Sequence, residues 1–265
     1  MSDGFKIFLR HWKPAQKSDI AILCIPGFGG NSRLLTVPCE TFSQSGVDPY
    51  ALDLRGFGNS LEEGLPRGDT KDFKRHLKDI DEIVQNLRTN FRMFFMLGWS
   101  LGALYAVWYG AHFPTTIDGF ILYAPAIEVK PRTSEEDRKR MPLLLQTAPQ
   151  TMLSPTSKAR FADPLNANSF SARYLFGIGS TLMRDKAFQN ATNIQKPTLI
   201  VQGDADEEAL PIGAQRLHET LAVKDKTFMM ISGADHLLYI FDPEKRQQIY
   251  SATLRWIREH SQSIV

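Results

Sequence analysis

The sequence has few cysteines and no excess of charge of either sign. Only two of its 265 residues are cysteines, Cys24 and Cys39, which are too few for a disulfide framework and lack metal-ligand spacing. A reducing compartment is therefore the default expectation. The 31 lysines and arginines are nearly balanced by 29 aspartates and glutamates, so no basic field exists to attract nucleic acid.

We expect neither a secretion signal nor a membrane span. Lys6 and Arg10 break the apolar residues of the N-terminus, so no apolar core of signal-peptide length is present. Residues 93–117 contain no Asp, Glu, Lys or Arg and are long enough to cross a bilayer. Glycines, Ser100 and Pro114 interrupt this stretch, which we interpret as a buried strand followed by a buried helix. We expect a soluble, cytoplasmic protein.

Apolar runs rich in β-formers alternate with runs of helical periodicity along most of the chain. The predicted strands are residues 21–25, 50–54, 94–97, 119–124, 198–202 and 227–231. The predicted helices lie within 32–45, 70–92, 102–112, 212–221 and 243–259. Such alternation predicts an α/β fold with a mostly parallel sheet that helices cover on both faces.

The alternation is interrupted between residues 127 and 196. This part contains the charged run 134–140, the apolar run 141–145 and a stretch at 170–183 that is typical of a helix. Ser134 followed by Asp137 resembles a helix-capping pair. We therefore predict a mainly helical cap, residues 127–196, inserted into a core formed by residues 1–126 and 197–265.

The motif Gly98-Trp99-Ser100-Leu101-Gly102 lies between a predicted strand and a predicted helix. In that context G-x-S-x-G is typical of a tight turn that exposes the central serine, with glycines on either side to avoid clashes. The first amides of the following helix would lie near the seryl oxygen. The alternative is an ordinary strand-to-helix turn without chemistry.

A glycine-rich loop, residues 25–30, follows the first predicted strand. It could aim a backbone amide at a developing negative charge. It could instead be a dinucleotide loop, with Gly27 and Gly29 as G-x-G and Asp53 at the ribose. The third glycine of that motif is absent, with Ser32 in its place, and the segment 53–60 would be left unexplained. The first interpretation is therefore favoured.

Acidic residues and a histidine follow the last two predicted strands. Asp204 and Asp206 come after residue Gly203, and His236 follows the strand at 227–231. A serine nucleophile needs a base, and the base needs a carboxylate that holds its tautomer. The chain supplies serine, acid and histidine in the order of α/β-hydrolases, at strand ends that share one sheet edge. The pattern alone leaves Asp204 and Asp206 open, with Glu207 or Glu208 next.

Together these motifs resemble the α/β-hydrolase family, and within it the monoglyceride lipase and lysophospholipase group. Residues 53–60 are similar to that group's D-x-R-G-x-G-x-S segment, 98–102 to its nucleophile elbow, 203–206 to its acid loop and 233–236 to its histidine loop. Residues 163–165 and 176–177 are similar to its cap sequence.

The resemblance implies a role for each site residue. Ser100 would be the nucleophile, Asp206 the acid and His236 the base, while the backbone amides of Phe28 and Leu101 would form the oxyanion hole. The group usually has His-Gly before the oxyanion residue, whereas this chain has Pro26-Gly27. That departure changes the side-chain hydrogen bonding of the loop. No metal and no organic cofactor is implied.

The resemblance also implies a serine hydrolase that cleaves carboxylic esters through an acyl-enzyme. The favoured substrate is a small mono-acyl lipid such as a monoacylglycerol or lysophospholipid, because an apolar cap can enclose one chain. The cap residues that we expect to contact this chain are Met141, Leu143, Leu144 and Phe176. The basic run 138–140 is typical of a solvated helix face. The alternative is that these basic residues attract the cap to an anionic lipid surface, which would give peripheral contact with membranes.

Two alternatives to the ester hydrolase stay open. The chain could be a binding or sensing protein that keeps the hydrolase fold with little turnover. It could also be a peptidase or amide hydrolase, which a serine–histidine–aspartate arrangement does not distinguish from an esterase.

Overall fold

The computed structural model describes residues 1–131, 133–156, 163–179, 188–237 and 242–262. Its strands are β1 (Leu9–His11), β2 (Ile20–Ile25), β3 (Asp48–Leu52), β4 (Met93–Trp99), β5 (Gly119–Tyr123), β6 (Met152–Leu153), β7 (Phe170–Ser171), β8 (Thr198–Gly203) and β9 (Lys226–Ile231). Its helices are α1 (Thr36–Gln44), α2 (Arg75–Arg88), α3 (Leu101–His112), α4 (Glu135–Thr147), α5 (Ala172–Gly179), α6 (Pro211–Thr220) and α7 (Pro243–Gln262). None of the described helices is both long enough and apolar enough to cross a bilayer.

Seven of the strands form one central sheet in the order β1-β3-β2-β4-β5-β8-β9. Strands β2 to β5, β8 and β9 run parallel, and only the short edge strand β1 pairs antiparallel, with β3. The carboxyl ends of the parallel strands therefore meet at one edge of the sheet. This is the edge at which α/β proteins assemble their sites.

The central strand β4 shows why the sheet is covered on both faces. All seven of its residues are buried, because a parallel strand between two helical layers has no solvent face. Phe94 and Met96 pack into one apolar cluster with residues of α2, α3 and α6. Phe95 and Leu97 pack into the other, with residues of α1 and α7. Successive side chains alternate between two cores, as strand geometry requires.

The predicted α/β class is confirmed, and the predicted strands of the sheet overlap the observed ones. Strand β1 was not predicted, because it has three residues, none of them buried, and carries no apolar period. Helix α2 begins at Arg75 rather than at residue 70. The side chain of Asp72 accepts a hydrogen bond from the Lys74 amide, and such local side-chain contacts favour a turn over a helix.

The chain between β5 and β8 contributes α4, the antiparallel pair β6–β7, α5 and a 3-10 turn at Ala191–Asn193. The predicted helix N-cap at Ser134 is confirmed, since the Ser134 hydroxyl accepts a hydrogen bond from the Asp137 amide at the start of α4. The stretch predicted as helix at 170–183 begins as strand β7 and becomes helical only at Ala172. Residues 180–183 lie outside the described residues.

An ion pair joins this segment to the body of the protein. Arg173 of α5 donates two hydrogen bonds to the carboxylate of Asp69, at 2.8 and 2.6 Å. Asp69 is buried, and a buried carboxylate is tolerated when its oxygens are paired in this way. The amide of Ser171 also donates to the carbonyl of Gly68. The segment is therefore held against the loop that precedes α2.

Candidate active site

Ser100 lies in the tight turn between β4 and α3. Its φ of 55° and ψ of −114° are uncommon for a residue with a side chain. A Cβ atom at Gly98 would lie 2.3 Å from the carbonyl oxygen of Gly102, and one at Gly102 would lie 2.1 Å from that of Ile25. The turn therefore needs glycine on both sides of the serine, which is the physical reason for the G-x-S-x-G pattern.

The turn is also held by backbone hydrogen bonds to the neighbouring strand β5. The Ser100 amide donates to the carbonyl of Tyr123 at 2.8 Å, and the Ala126 amide donates to the carbonyl of Ser100 at 3.2 Å. Because both partners belong to the sheet or to the loop directly after it, the strained conformation is fixed by the surrounding structure.

His236 follows β9 and lies between Ser100 and Asp206. Its Nε2 is 3.0 Å from the Ser100 Oγ, and its Nδ1 is 2.8 Å from the Asp206 Oδ2. All three side chains are buried. The structure therefore brings together the serine, histidine and acid that the sequence places after three different strands. This is the geometry by which a histidine takes a proton from a serine while a carboxylate holds its tautomer.

Asp206 is held by several donors besides His236. Its Oδ1 accepts hydrogen bonds from the amides of Glu208 and Ala209 at 2.8 and 2.9 Å. Burial alone would raise the pKa of Asp206, but the hydrogen bond and charge of His236, together with the two amides, lower it below its ordinary value. The carboxylate therefore stays ionised at neutral pH despite its burial.

Asp204 has a different position and a different partner. It is exposed, and its Oδ1 accepts a hydrogen bond from the Gly233 amide at 2.6 Å. The Ala205 amide donates to the carbonyl of Ala234. Asp204 and its neighbour therefore tie the acid loop to the loop that carries His236, while Asp206 contacts the imidazole itself.

The glycine-rich loop after β2 passes next to Ser100. The Gly30 amide donates to the carbonyl of Gly27 at 3.1 Å, which closes a turn around Phe28. Phe28 and Leu101 both border the cavity that contains Ser100. Their amides belong to the loop and to the first residue of α3, the two places from which an oxyanion hole beside this serine would be built.

Asp53 rules against the dinucleotide interpretation of this loop. It is fully buried, and its two oxygens accept hydrogen bonds from the amides of Ser32, at 2.6 Å, and Asn59, at 2.7 Å. A carboxylate that is used in this way cannot bind a ribose. Its role is to join the loop after β2 to the loop after β3.

A cavity of about 690 Å³ opens onto Ser100 and His236. Apolar side chains of α3, α4 and α5 form much of its lining, including Leu104, Met141, Leu145, Leu175, Phe176 and Ile178. Polar and charged groups also border it: Lys130, Thr133, Arg138, Gln146 and Glu208. The size is typical of a small-molecule site.

The structure brings two of the four predicted pocket residues to this cavity. Met141 and Phe176 line it. Leu143 is 61% exposed on the outside of α4, and Leu144 is 8% exposed and packs into the core. Helical periodicity explains the difference, because Met141 and Leu145 lie one turn apart on the same face while the two leucines between them point elsewhere.

Sequence reasoning missed Gln202, the second-to-last residue of β8. It is fully buried, and its Nε2 lies 3.1 Å from the Asp206 Oδ2 and 3.1 Å from the carbonyl oxygens of Gly203 and Ala209. Among the described residues its Oε1 has no hydrogen-bond partner. A glutamine near the end of a mostly apolar strand was the signal that could have identified it.

Trp99 was also missed, although it is part of the G-x-S-x-G motif. Its Nε1 donates to the carbonyl of His236 at 3.3 Å, and the two rings lie 5.5 Å apart. The residue before the serine therefore contacts the loop of the histidine.

Comparisons with known proteins agree with this architecture. Residues 16–244 match the protein family described as serine aminopeptidase, S33. A monoglyceride lipase from Rattus norvegicus is 24% identical over 270 residues, covering 97% of this chain and 88% of that protein. These findings confirm the predicted resemblance to the monoglyceride lipase group.

Two solved structures are similar over nearly the whole chain. The monoacylglycerol lipase of Paleococcus ferrophilus has a TM-score of 0.83 and 26% identity, covering 96% of this chain and 99% of that one. A soluble variant of the monoglyceride lipase of Saccharomyces cerevisiae, in complex with a substrate analogue, has a TM-score of 0.82 and 20% identity, covering 98% and 93%. The predicted α/β-hydrolase fold is confirmed.

The steric requirement for Gly102 predicts a large loss of stability on substitution. In Gly102→Ala the new methyl group would contact the backbone of Ile25, which cannot rotate away, so we expect a loss of about 3 kcal/mol or more. In the control Gly30→Ala the 2.5 Å contact is with the Leu34 Cδ1, the end of a flexible side chain, so the loss should be about 1 kcal/mol. Urea denaturation of both variants measures the difference; equal midpoints would contradict it.

Proposed function

The chain belongs to the serine aminopeptidase S33 family of α/β-hydrolases, and from that premise we propose that it is a serine hydrolase of carboxylic esters of mono-acyl lipids. The observation that carries the proposal is the hydrogen-bonded series Asp206, His236 and Ser100 at the end of an apolar cavity. The monoglyceride lipases among its relatives support the ester class.

In the proposed reaction Ser100 is the nucleophile. Its Oγ attacks the ester carbonyl carbon while its proton passes to the His236 Nε2, and the carbonyl oxygen becomes an oxyanion. The amides of Phe28 and Leu101 donate hydrogen bonds to that oxyanion. Asp206 accepts a hydrogen bond from the Nδ1–H of His236, which fixes the tautomer of the imidazole, and it stabilises the imidazolium that forms.

The first tetrahedral intermediate collapses to an acyl-enzyme, which water then hydrolyses through a second tetrahedral intermediate. The bond to the alcohol oxygen breaks, the alcohol takes the proton from His236, and an acyl group stays on Ser100. A water molecule gives a proton to His236 and attacks the acyl carbon. The second intermediate releases the fatty acid and returns the proton to the serine.

The size and lining of the cavity favour a substrate with one acyl chain. Its apolar lining by α3, α4 and α5 suits a hydrocarbon chain, and its volume of about 690 Å³ suits a single small ligand. The segment 127–196 acts in this proposal as the cap that covers the chain. Leu143, on the outer face of α4, is 61% exposed, and Phe176 of the cavity lining is 46% exposed; these accessible apolar side chains support transient contact with a lipid surface.

A peptidase that removes N-terminal residues is the second candidate. The name of the matched family favours it, and the acidic residue Glu208 is among those that line the cavity containing Ser100 and His236. The two candidates differ in their products. A panel of monoacylglycerols, lysophospholipids, p-nitrophenyl esters and aminoacyl anilides distinguishes them, and we expect turnover of the esters to be the faster.

Ser100 should be the one serine that an alkyl fluorophosphonate labels, because only an activated hydroxyl reacts readily with such a probe. Mass spectrometry of the labelled, digested protein should give one modified peptide, and Ser100→Ala should abolish both labelling and ester turnover. Labelling of Ser100 without turnover of any ester or amide would favour a binding protein on this fold. Undiminished labelling of Ser100→Ala would reject the nucleophile.

The two aspartates of the acid loop should differ strongly in their effect on turnover. Asp206→Asn keeps the shape but cannot hold the Nδ1 proton or stabilise the imidazolium, so kcat should fall by up to about 10⁴-fold. Asp204→Asn keeps an oxygen that can accept from the Gly233 amide, so kcat should stay within about tenfold of wild type. Steady-state kinetics on a soluble ester measures both, and the reverse order would move the acid to Asp204.

Chain-length selectivity should depend on the inner face of α4. Met141→Ser and Leu145→Ser remove apolar surface from the cavity lining, so kcat/KM for a dodecanoyl ester should fall on the order of tenfold while that for a butanoyl ester stays nearly unchanged. Leu143→Ser, on the outer face of the same helix, is the matched control. All substrates are used below the concentration at which they aggregate, so that lipid-surface contact does not contribute. A uniform fall across chain lengths would indicate destabilisation of the fold instead.

A further inference from the structure

The loop that carries Phe28 is held from one side by the inserted segment. The Ala167 amide donates to the carbonyl of Gly29 at 2.9 Å. The Asn31 Nδ2 donates to the Asn166 Oδ1, also at 2.9 Å. The ring of Phe170 stacks on that of Phe28 with the centroids 4.2 Å apart. Three contacts over five residues therefore join this part of the segment to the loop.

The hydrogen bond between the two asparagines is buried and has a defined direction. Both side chains are buried. The Asn31 Oδ1 already accepts from the Arg33 amide at 2.9 Å, where it caps the 3-10 turn Ser32–Leu35. Its NH₂ group must therefore face Asn166. If the acceptor on Asn166 were removed, this donor would be left buried with its partner missing.

The inserted segment also packs closely against the backbone of Gly29. Its φ is +70°, and a Cβ atom there would lie 2.7 Å from the ring of Phe170 and 3.2 Å from the carbonyl oxygen of Ala167. The loop thus fits between the segment on one side and Trp99 and Ser100 on the other, since a Cβ at Gly27 would contact both of those residues.

The residues that precede Phe28 supply no polar side chain that could orient its amide. They are Pro26, which lacks both a side-chain donor and a backbone N–H, and Gly27. Toward the core, the Ser32 amide of this loop donates a hydrogen bond to the Asp53 carboxylate, at a residue four positions past Phe28. Close to Phe28 the loop is held by its own turn, in which the Gly30 amide donates to Gly27, and by the contacts of the inserted segment with Gly29, Asn31 and the Phe28 ring.

We propose that Asn166, through its hydrogen bond to Asn31, is a positioning residue that fixes the loop bearing the Phe28 amide, so that the inserted segment completes the oxyanion hole. This rests on the proposed function. Leu175 and Phe176 of the same segment line the cavity, so one piece of chain both encloses the substrate and sets the geometry for its carbonyl oxygen.

The role predicts a specific kinetic effect. A displaced oxyanion donor weakens binding of the transition state more than binding of the substrate, so kcat falls while KM changes little. Complete loss of one such donor reduces kcat about 10²- to 10³-fold. Because Asn166 acts through the loop, Asn166→Ala should reduce kcat by a smaller factor, on the order of tenfold.

The test compares Asn166→Ala with Asn168→Ala, a substitution of the same kind at an exposed position two residues away. Kinetics on p-nitrophenyl butyrate are expressed per active site titrated with the fluorophosphonate, so that unfolded protein does not contribute. We expect kcat of Asn166→Ala to fall about tenfold at unchanged KM, and kcat of Asn168→Ala to equal that of wild type. An alkyl trifluoromethyl ketone forms an adduct with the serine that places an oxyanion in the hole. Its inhibition constant for Asn166→Ala should therefore be higher than for wild type by the same factor.

A double-mutant cycle with Asn31→Ala separates positioning by the pair from a general packing effect. If the pair acts as one unit, the double variant should lose no more kcat than the more damaged single variant. A kcat of Asn166→Ala within twofold of wild type, or a loss that appears in KM alone, would overturn the positioning role while the ester hydrolase stands. Absence of turnover in the wild-type chain would overturn the proposed function and this role with it.

Discussion

The close crossing of α3 over the end of β2 is the contact on which the site depends. Gly102 approaches the carbonyl of Ile25 so closely that no Cβ fits between them. This crossing brings the glycine-rich loop after β2 next to the turn that carries Ser100. It also leaves Ser100 at a positive φ, a conformation held by hydrogen bonds to Tyr123 and Ala126. The proposed nucleophile and the proposed oxyanion loop are thus neighbours because two backbone segments meet without side chains between them.

The buried carboxylate of Asp206 sets the electrostatics of the site. Burial raises the pKa of Asp206, but the hydrogen bond and charge of His236 and the hydrogen bonds of the Ala209 and Glu208 amides lower it below its ordinary value. Since its folded pKa is below the unfolded one, the carboxylate contributes stability above the unfolded pKa and loses it as the pH falls through the folded pKa. The same donors that keep Asp206 charged also fix its direction toward the imidazole.

The inserted segment is held by polar contacts as well as by apolar packing. Asp69 and Arg173 anchor α5, the two asparagines anchor the stretch before β7, and Phe170 packs against Phe28 and Tyr174. Such polar contacts are directional, and removing one partner costs stability because the other is left buried without a hydrogen bond. A segment that only covered the cavity would need apolar packing alone. The polar anchors give it a defined register against the loop after β2.

The sequence by itself determined the α/β class, the parallel strands and the order of Ser100, Asp206 and His236 along the chain. These follow from local signals, because buried parallel strands are continuous apolar runs and because a strained turn needs glycine at fixed spacing. The pattern of strands and loops left Asp204 and Asp206 open, because they differ in how the loop after β8 turns, and only the resemblance to the family selected Asp206. It also misassigned Leu143 and Leu144 to the cavity, since helical phase depends on where the helix docks. Gln202 and Asn166 became visible only in three dimensions, because their partners lie in other loops and hydrogen bonds between distant segments leave no local pattern.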